Sequence, residues 1–285
     1  MPALLALLLL LLAGCGSFVG EYRATRLPAD VTELFVVHPA AASPGAETVW
    51  VFEQGGPSHD IGYDVLFPFL SLPDHEHIHL VQVHQTLTLN PRLAARHASL
   101  SLANLQAEVD VSVELLRRVI DHFKARDKRV VVVGYSYGSF LVARYLAQHG
   151  PGGADRYLLM AGRLDMPHEF VDGALAGMLY HFPDATAPEP SGRRPTTDEE
   201  AIELLIAGAT FHDRYTDLLA GTDLRKAIYV YATADTVVGG LSDAEVRFLE
   251  RKGSTVIAGE GANHVSLVLD RTILDRIRDA LAEQP

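Results

Sequence analysis

Four consecutive valines, Val130 to Val133, run directly into Gly134-Tyr135-Ser136-Tyr137-Gly138, and no other stretch restricts the fold of this chain so tightly. Side chains that are β-branched and apolar at every position suit a strand covered on both faces, which places the run at the centre of a parallel sheet. Beyond the pentapeptide, Leu141, Tyr145 and Gln148, with Ala143 and Ala147 beside them, follow helical spacing until Gly150-Pro151 supplies a stop. The Gly-x-Ser-x-Gly pattern therefore occupies a strand-to-helix turn.

That setting has chemical meaning. A hydroxyl is a weak nucleophile until a base removes its proton, and a tight turn lifts Ser136 Oγ clear of the sheet, where a histidine can reach it. Gly134 and Gly138 are expected where side chains would collide with the crowded turn. Ser136 stands at a helix N-terminus, where free N–H groups favour negative charge, so the N–H of Tyr137 is a candidate oxyanion donor. With Gly and Ser each near 7% of residues, the pattern arises by chance about 0.1 times in such a chain. Its strand and helix flanks carry the weight.

The chain has 285 residues, 48% of them hydrophobic, enough for one large α/β domain. A formal net charge of −12 excludes nucleic acid as a partner, because that binding rests on Lys and Arg neutralising phosphates. Met1 to Ala13 is almost all leucine and alanine, too short to span a bilayer as a helix, and has the character of the apolar region of a signal peptide. Leu12-Ala13-Gly14-Cys15 follows and holds the single cysteine, which has no partner for an internal disulfide.

This tetrapeptide resembles the lipobox of bacterial lipoproteins, although no Lys or Arg precedes the apolar run. The resemblance implies removal of residues 1–14, acylation of Cys15, and a protein held on a bacterial membrane by several acyl chains. In that family an aspartate after the cysteine favours inner-membrane retention; Gly16 stands there, which implies the outer membrane facing the periplasm. A plain secretory signal and a buried helix are the other readings. Residues 15–28 read as a tether, with Arg23 and Arg26 near lipid headgroups, and 29–285 as the folded domain.

Along that domain, Leu34 to Val37 and Thr48 to Phe52 read as strands, the second running into Gln54-Gly55-Gly56-Pro57. A glycine pair after an early strand allows close backbone approach to a substrate, so the N–H of Gly55 or Gly56 is a second candidate oxyanion donor; Pro57 has none. His75-Glu76-x-x-His79 matches a zinc-protease pattern that works only on a helix, yet Pro73 precedes it and alternation through Val83 continues as a strand. These histidines read as solvent-facing, and no metal or other cofactor is expected.

Leu105, Val109, Val113, Leu116, Ile120 and Phe123 form a helical stripe over 104–124 that completes a strand-helix-strand crossover. Tyr157 to Met160 is the next strand. Residues 163–223 then carry Pro183, Pro188, Pro190 and Pro195, a helix around 169–180, a Thr197-x-x-Glu200 capping box opening a helix to about 207, and a short helix over 213–219. Such an insert has the make-up of a lid. Strands at 228–231 and 255–258 frame a helix over 243–251, and 265–281 reads as the closing helix.

Asp235 and His264 each fall just past a strand, as Ser136 does, so the three converge on one rim of the sheet in the chain order Ser, Asp, His. Asp223 and Asp243, and His181 and His212, are less well placed for the same roles. The order and settings resemble the α/β-hydrolase superfamily, over roughly 48–281. The resemblance implies an α/β-hydrolase fold, a mostly parallel central sheet with helices on both faces and a helical lid insertion. It also implies a triad of Ser136, His264 and Asp235. Gly134-Tyr135-Ser136-Tyr137-Gly138-Ser139 with Gly55-Gly56-Pro57 is most similar to the proline-iminopeptidase branch. That branch has His where Gln54 stands and Gly where Ser58 stands. A small carboxylic ester is the expected substrate. A short peptide, cleaved from its amino end with Glu169, Glu199 or Glu203 holding the amine, is the alternative, and a non-catalytic binding lipoprotein a third. The sequence leaves the oligomeric state open.

Overall fold

The computed structural model of the chain describes residues 22–62 and 78–283. Its centre is a seven-stranded sheet of β1 (Phe35–Val37), β2 (Thr48–Glu53), β3 (Ile78–Val83), β4 (Arg129–Tyr135), β5 (Arg156–Met160), β8 (Ala227–Ala232) and β9 (Thr255–Gly259). The strands lie in the order β1-β3-β2-β4-β5-β8-β9, and all run parallel except β1, which pairs antiparallel with β3. The valine strand is the fourth of the seven, with Val130 to Val133 opposite Val49 to Phe52 on β2. Burial on both faces is why it has no polar residue between Val130 and Val133.

Side-chain alternation divides the core. Val49, Val51, Val130, Val132 and Tyr229 face α1 (Leu102–Lys124) and α2 (Tyr137–His149), while Trp50, Phe52, Val131, Val133 and Val230 face α6 (Arg271–Glu283). Helices thus cover both sides. Ser101 caps α1, its Oγ accepting the Asn104 N–H at 3.2 Å while Asn104 Oδ1 accepts the Ser101 N–H at 3.0 Å. The histidine-rich stretch enters the fold as β3. His79 on that strand is buried against Phe123, so it does not face solvent; His75 and His77 lie outside the described residues.

Between β5 and β8 the chain leaves the sheet to form α3 (His168–Leu175), a small antiparallel ribbon of β6 (Tyr180–His181) and β7 (Glu189–Pro190), and α4 (Asp198–Phe211). α3 ends short of the expected 180 because Gly177, at φ 72°, turns the chain. α4 extends past 207 to Phe211, since Ile206, Ala207, Thr210 and Phe211 are buried against the body. Its cap is half of the expected box: Thr197 Oγ1 accepts the Glu200 N–H at 3.2 Å, but the Glu200 carboxylate turns to Thr196 instead. α5 (Asp243–Arg251) spans its expected residues. The closing helix is broken, with one 3-10 turn over Ser266–Val268 and a restart at Arg271, where Asp270 accepts the Thr272 N–H at 2.8 Å.

Candidate active site

Ser136 follows β4 directly and precedes the first residue of α2. Its backbone sits at φ 53°, ψ −119°, a conformation unfavourable for a residue with a Cβ, and it holds there because the turn is closed on every side. A methyl at Gly134 would stand 2.6 Å from the Gly138 carbonyl oxygen; one at Gly138 would stand 2.6 Å from the Glu53 carbonyl carbon. Below the turn, Ser136 N–H donates to the Met160 carbonyl at 2.8 Å, and buried Ser139 Oγ accepts the Met160 N–H at 2.9 Å. The elbow is therefore tied to β5 as well as to β4.

Asp235 lies beyond the end of β8 and His264 beyond the end of β9, on the rim where Ser136 emerges. His264 Nε2 is 2.9 Å from Ser136 Oγ, and its Nδ1 is 2.7 Å from Asp235 Oδ2. Asp235 is 1% exposed, and its other oxygen accepts the N–H groups of Val237 and Val238 at 2.8 and 3.1 Å. An imidazole bonded to a carboxylate through Nδ1 carries its proton there and leaves Nε2 free to accept the serine proton. Ser136 itself is only half-buried and open to a substrate. The other candidates stand apart: Asp223 is engaged by Arg225, Asp243 is exposed at the start of α5, and His181 and His212 are exposed on the insert.

Tyr137 opens α2, so its N–H has no intrahelical carbonyl to meet. Gly55 lies against the nucleophile: a methyl there would be 3.3 Å from Ser136 Cβ, whereas one at Gly56 would meet Ser58 N and Gln85 instead.

Four side chains around this loop were not singled out from sequence. Gln82 Nε2 donates to Gln54 Oε1 at 2.5 Å, Gln85 Nε2 to the Gln54 carbonyl at 3.0 Å, and Gln54 Nε2 to the Asp60 carbonyl at 2.7 Å, a buried amide chain that fixes the start of the glycine loop. Gln54, which stands where the iminopeptidase branch has His, is thus structural here. Glu53, fully buried at the end of β2, has no hydrogen-bond partner on either carboxyl oxygen among the described residues. Burial pushes its pKa far up, so it is a neutral acid. Tyr135, whose own phenol burial and then Asp235 push up to about 12, donates its hydroxyl to the His264 carbonyl at 3.0 Å. The readable signal was polarity in the wrong place, Glu53 and Gln82 each interrupting an otherwise apolar strand.

A cavity of about 450 Å³ opens beside the glycine loop, between Gly56 and Pro57 on one side and Arg193, Glu203, Leu204 and Ala207 on the other. Glu203 reaches back across it to His59 at 2.9 Å. Among the described residues, no group of three or more His, Cys, Asp or Glu is placed to hold a metal ion.

No family model matches the sequence. Solved structures do. A peroxisomal α/β-hydrolase, Lpx1, from Saccharomyces cerevisiae superposes with a TM-score of 0.56 at 12% identity, covering 86% of this chain and 79% of that one. MGS-M2, an α/β-hydrolase enzyme from a Medee basin deep-sea metagenome library, gives 0.53 at 10% identity over 88% and 94% of the two chains. A metagenome-derived lipolytic enzyme described with LipS and LipT gives 0.50 at 16% identity over 87% and 98%. The chain has the α/β-hydrolase fold. In this fold the chain between β5 and β8 is an insert outside the sheet, and Ser136, Asp235 and His264 lie just past the ends of β4, β8 and β9.

Proposed function

We propose that this α/β-hydrolase-fold protein is a serine hydrolase of carboxylic esters, held on a bacterial membrane through acylated Cys15. The observation that carries the chemical part is the continuous hydrogen-bonded line from Ser136 Oγ through His264 to buried Asp235. Ser136 Oγ attacks the ester carbonyl and passes its proton to His264 Nε2. The negative charge that develops on the carbonyl oxygen is met by the N–H groups of Tyr137 and Gly55. Collapse of the tetrahedral intermediate expels the alcohol, which takes the proton back from His264. A water molecule activated by the same imidazole then releases the acid from Ser136. Asp235 holds the imidazole in the required tautomer throughout.

Esters are favoured because an alkoxide leaves with less protonation than an amine, and because the fold neighbour described with LipS and LipT is lipolytic. A second reading, an aminopeptidase, draws on Glu200 and Glu203 in the cavity wall. Both carboxylates are already engaged, Glu203 by His59 and Glu200 by Thr196, which favours the ester. The anchoring part rests on Leu12-Ala13-Gly14-Cys15, outside the described residues; no helix among the described residues is long and apolar enough to cross a membrane.

A fluorophosphonate probe should label the full-length protein and fail to label Ser136→Ala and His264→Ala. Turnover of p-nitrophenyl esters but not aminoacyl anilides is expected of the labelled enzyme. A folded wild type that resists the probe refutes the catalytic reading, and Cys15→Ser protein that stays in the membrane fraction in high salt refutes the anchor.

A further inference from the structure

We infer that the face built around the start of the folded chain, marked by Arg23, Arg26, Arg92 and Arg96, is the surface that lies on a membrane of anionic phospholipid. The inference rests on the anchoring reading of Cys15 and adds to it an orientation and a lipid class.

The chain is clasped to the body from Tyr22 onward. The Tyr22 hydroxyl donates to the buried carboxylate of Glu108 on α1, Thr25 N–H donates to the same oxygen at 3.0 Å, and Thr86 Oγ1 to the other at 2.6 Å. Burial, and then Glu108, push the Tyr22 phenol upward in pKa, so it remains a donor. Asn90 Nδ2 donates to Thr25 Oγ1 at 2.9 Å, and the Arg118 guanidinium to the Pro28 and Ala29 carbonyls at 2.8 and 2.9 Å. From Tyr22 onward the expected tether is therefore part of the folded body. From Cys15 to Tyr22 the chain reaches at most about 25 Å when fully extended. A globule of this length is about 50 Å across. An acyl group on Cys15 would hold this face, and not the opposite one, next to the headgroups.

The clasp also gathers charge. Arg23 and Arg26 flank the clasped Tyr22 and Thr25, Arg92 follows two residues after Asn90, and the Arg96 guanidinium stands 5.8 Å from the Tyr22 ring centre. All four are exposed, and none has an ion-pair partner among the described residues. Glu108 lies buried beneath this patch with three donors, and Asp198, which opens α4 ahead of Glu199 and Glu200, stands 3.7 Å from His97 at its edge. On a chain of net charge −12 a sheet of zwitterionic lipid gains nothing from such a face, whereas anionic headgroups within about 8 Å complement it.

Amide hydrogen exchange of the processed protein, acylated at Cys15 and reconstituted into vesicles of phosphatidylcholine or of an equal mixture of phosphatidylcholine and phosphatidylglycerol, tests this after flotation of the vesicles. In the mixed vesicles, 22–27 and 91–100 should exchange about tenfold more slowly or better. Protection should vanish in high salt and in the R23S/R26S/R92S/R96S variant, whose probe labelling at Ser136 reports its fold. α5, at the other edge of the sheet, should exchange alike in both. Protection that is equal in the two lipids, or that survives in the variant, overturns the inference while leaving the anchor in place. Flotation with mixed vesicles alone removes the anchor and leaves the docking face; flotation with neither removes both.

Discussion

Adding one methyl group at Gly138 should cost this protein about 100-fold in ester turnover while leaving it folded. The built Cβ of Gly138→Ala stands 2.6 Å from the Glu53 carbonyl carbon and 2.8 Å from the Gln54 carbonyl oxygen, where ordinary contact begins at 3.4 Å. The Glu53 carbonyl oxygen stands nearer still, so the end of β2 must retreat by more than 0.8 Å, the difference between 3.4 and 2.6 Å, since all three obstacles are backbone and none can rotate away. Gly55 follows two residues later and would move with it, taking the proposed oxyanion donor out of line with Ser136. A displacement near 1 Å at a reacting centre lowers rate about 100-fold, close to 2.7 kcal/mol of barrier. Strain of this kind lowers stability by about 1–3 kcal/mol. The assay is kcat/KM on a p-nitrophenyl ester beside the thermal midpoint, with Gly152→Ala, which meets nothing within 4 Å, as the control. A Gly138→Ala protein within about threefold of wild type would refute the placement of the Gly55-Gly56 loop against Ser136.

Two other outcomes follow from the site. Asp235→Asn preserves the buried shape but presents an amide to His264 Nδ1, so kcat should fall about 10³–10⁴-fold with KM little changed; a loss below tenfold would separate Asp235 from catalysis. Glu53 is protonated in the fold and ionised when unfolded, so its raised folded pKa stabilises fully below its ordinary value of 4.5 and is lost as pH rises from there. Glu53→Gln should therefore gain thermal stability relative to wild type between pH 5 and pH 8, and parallel melting curves across that range would show that Glu53 is not a buried neutral acid.

The α1 stripe, the valine strand and the three strand-end residues were legible because each is a local pattern, a periodicity or a turn, that only one kind of structure satisfies. The neutral state of Glu53 and the amide chain of Gln54, Gln82 and Gln85 were not, because a polar side chain in a strand reads as exposed until the partner strand and loop are known to cover it. The early end of α3 and the break before Arg271 depend on where Gly177 and Asp270 fall against the body, a packing outcome that helical spacing does not encode.

By itself the sequence determined that a serine would be lifted from the centre of a parallel sheet with an aspartate and a histidine just past later strands, because strand and turn chemistry are set within a few residues. Only the tertiary structure decided that Ser136, His264 and Asp235 touch, that Gly55 and not Gly56 lies against the nucleophile, and that Tyr22 closes onto Glu108. Those are distances between segments up to 128 residues apart, and they follow from how the sheet twists and its layers pack.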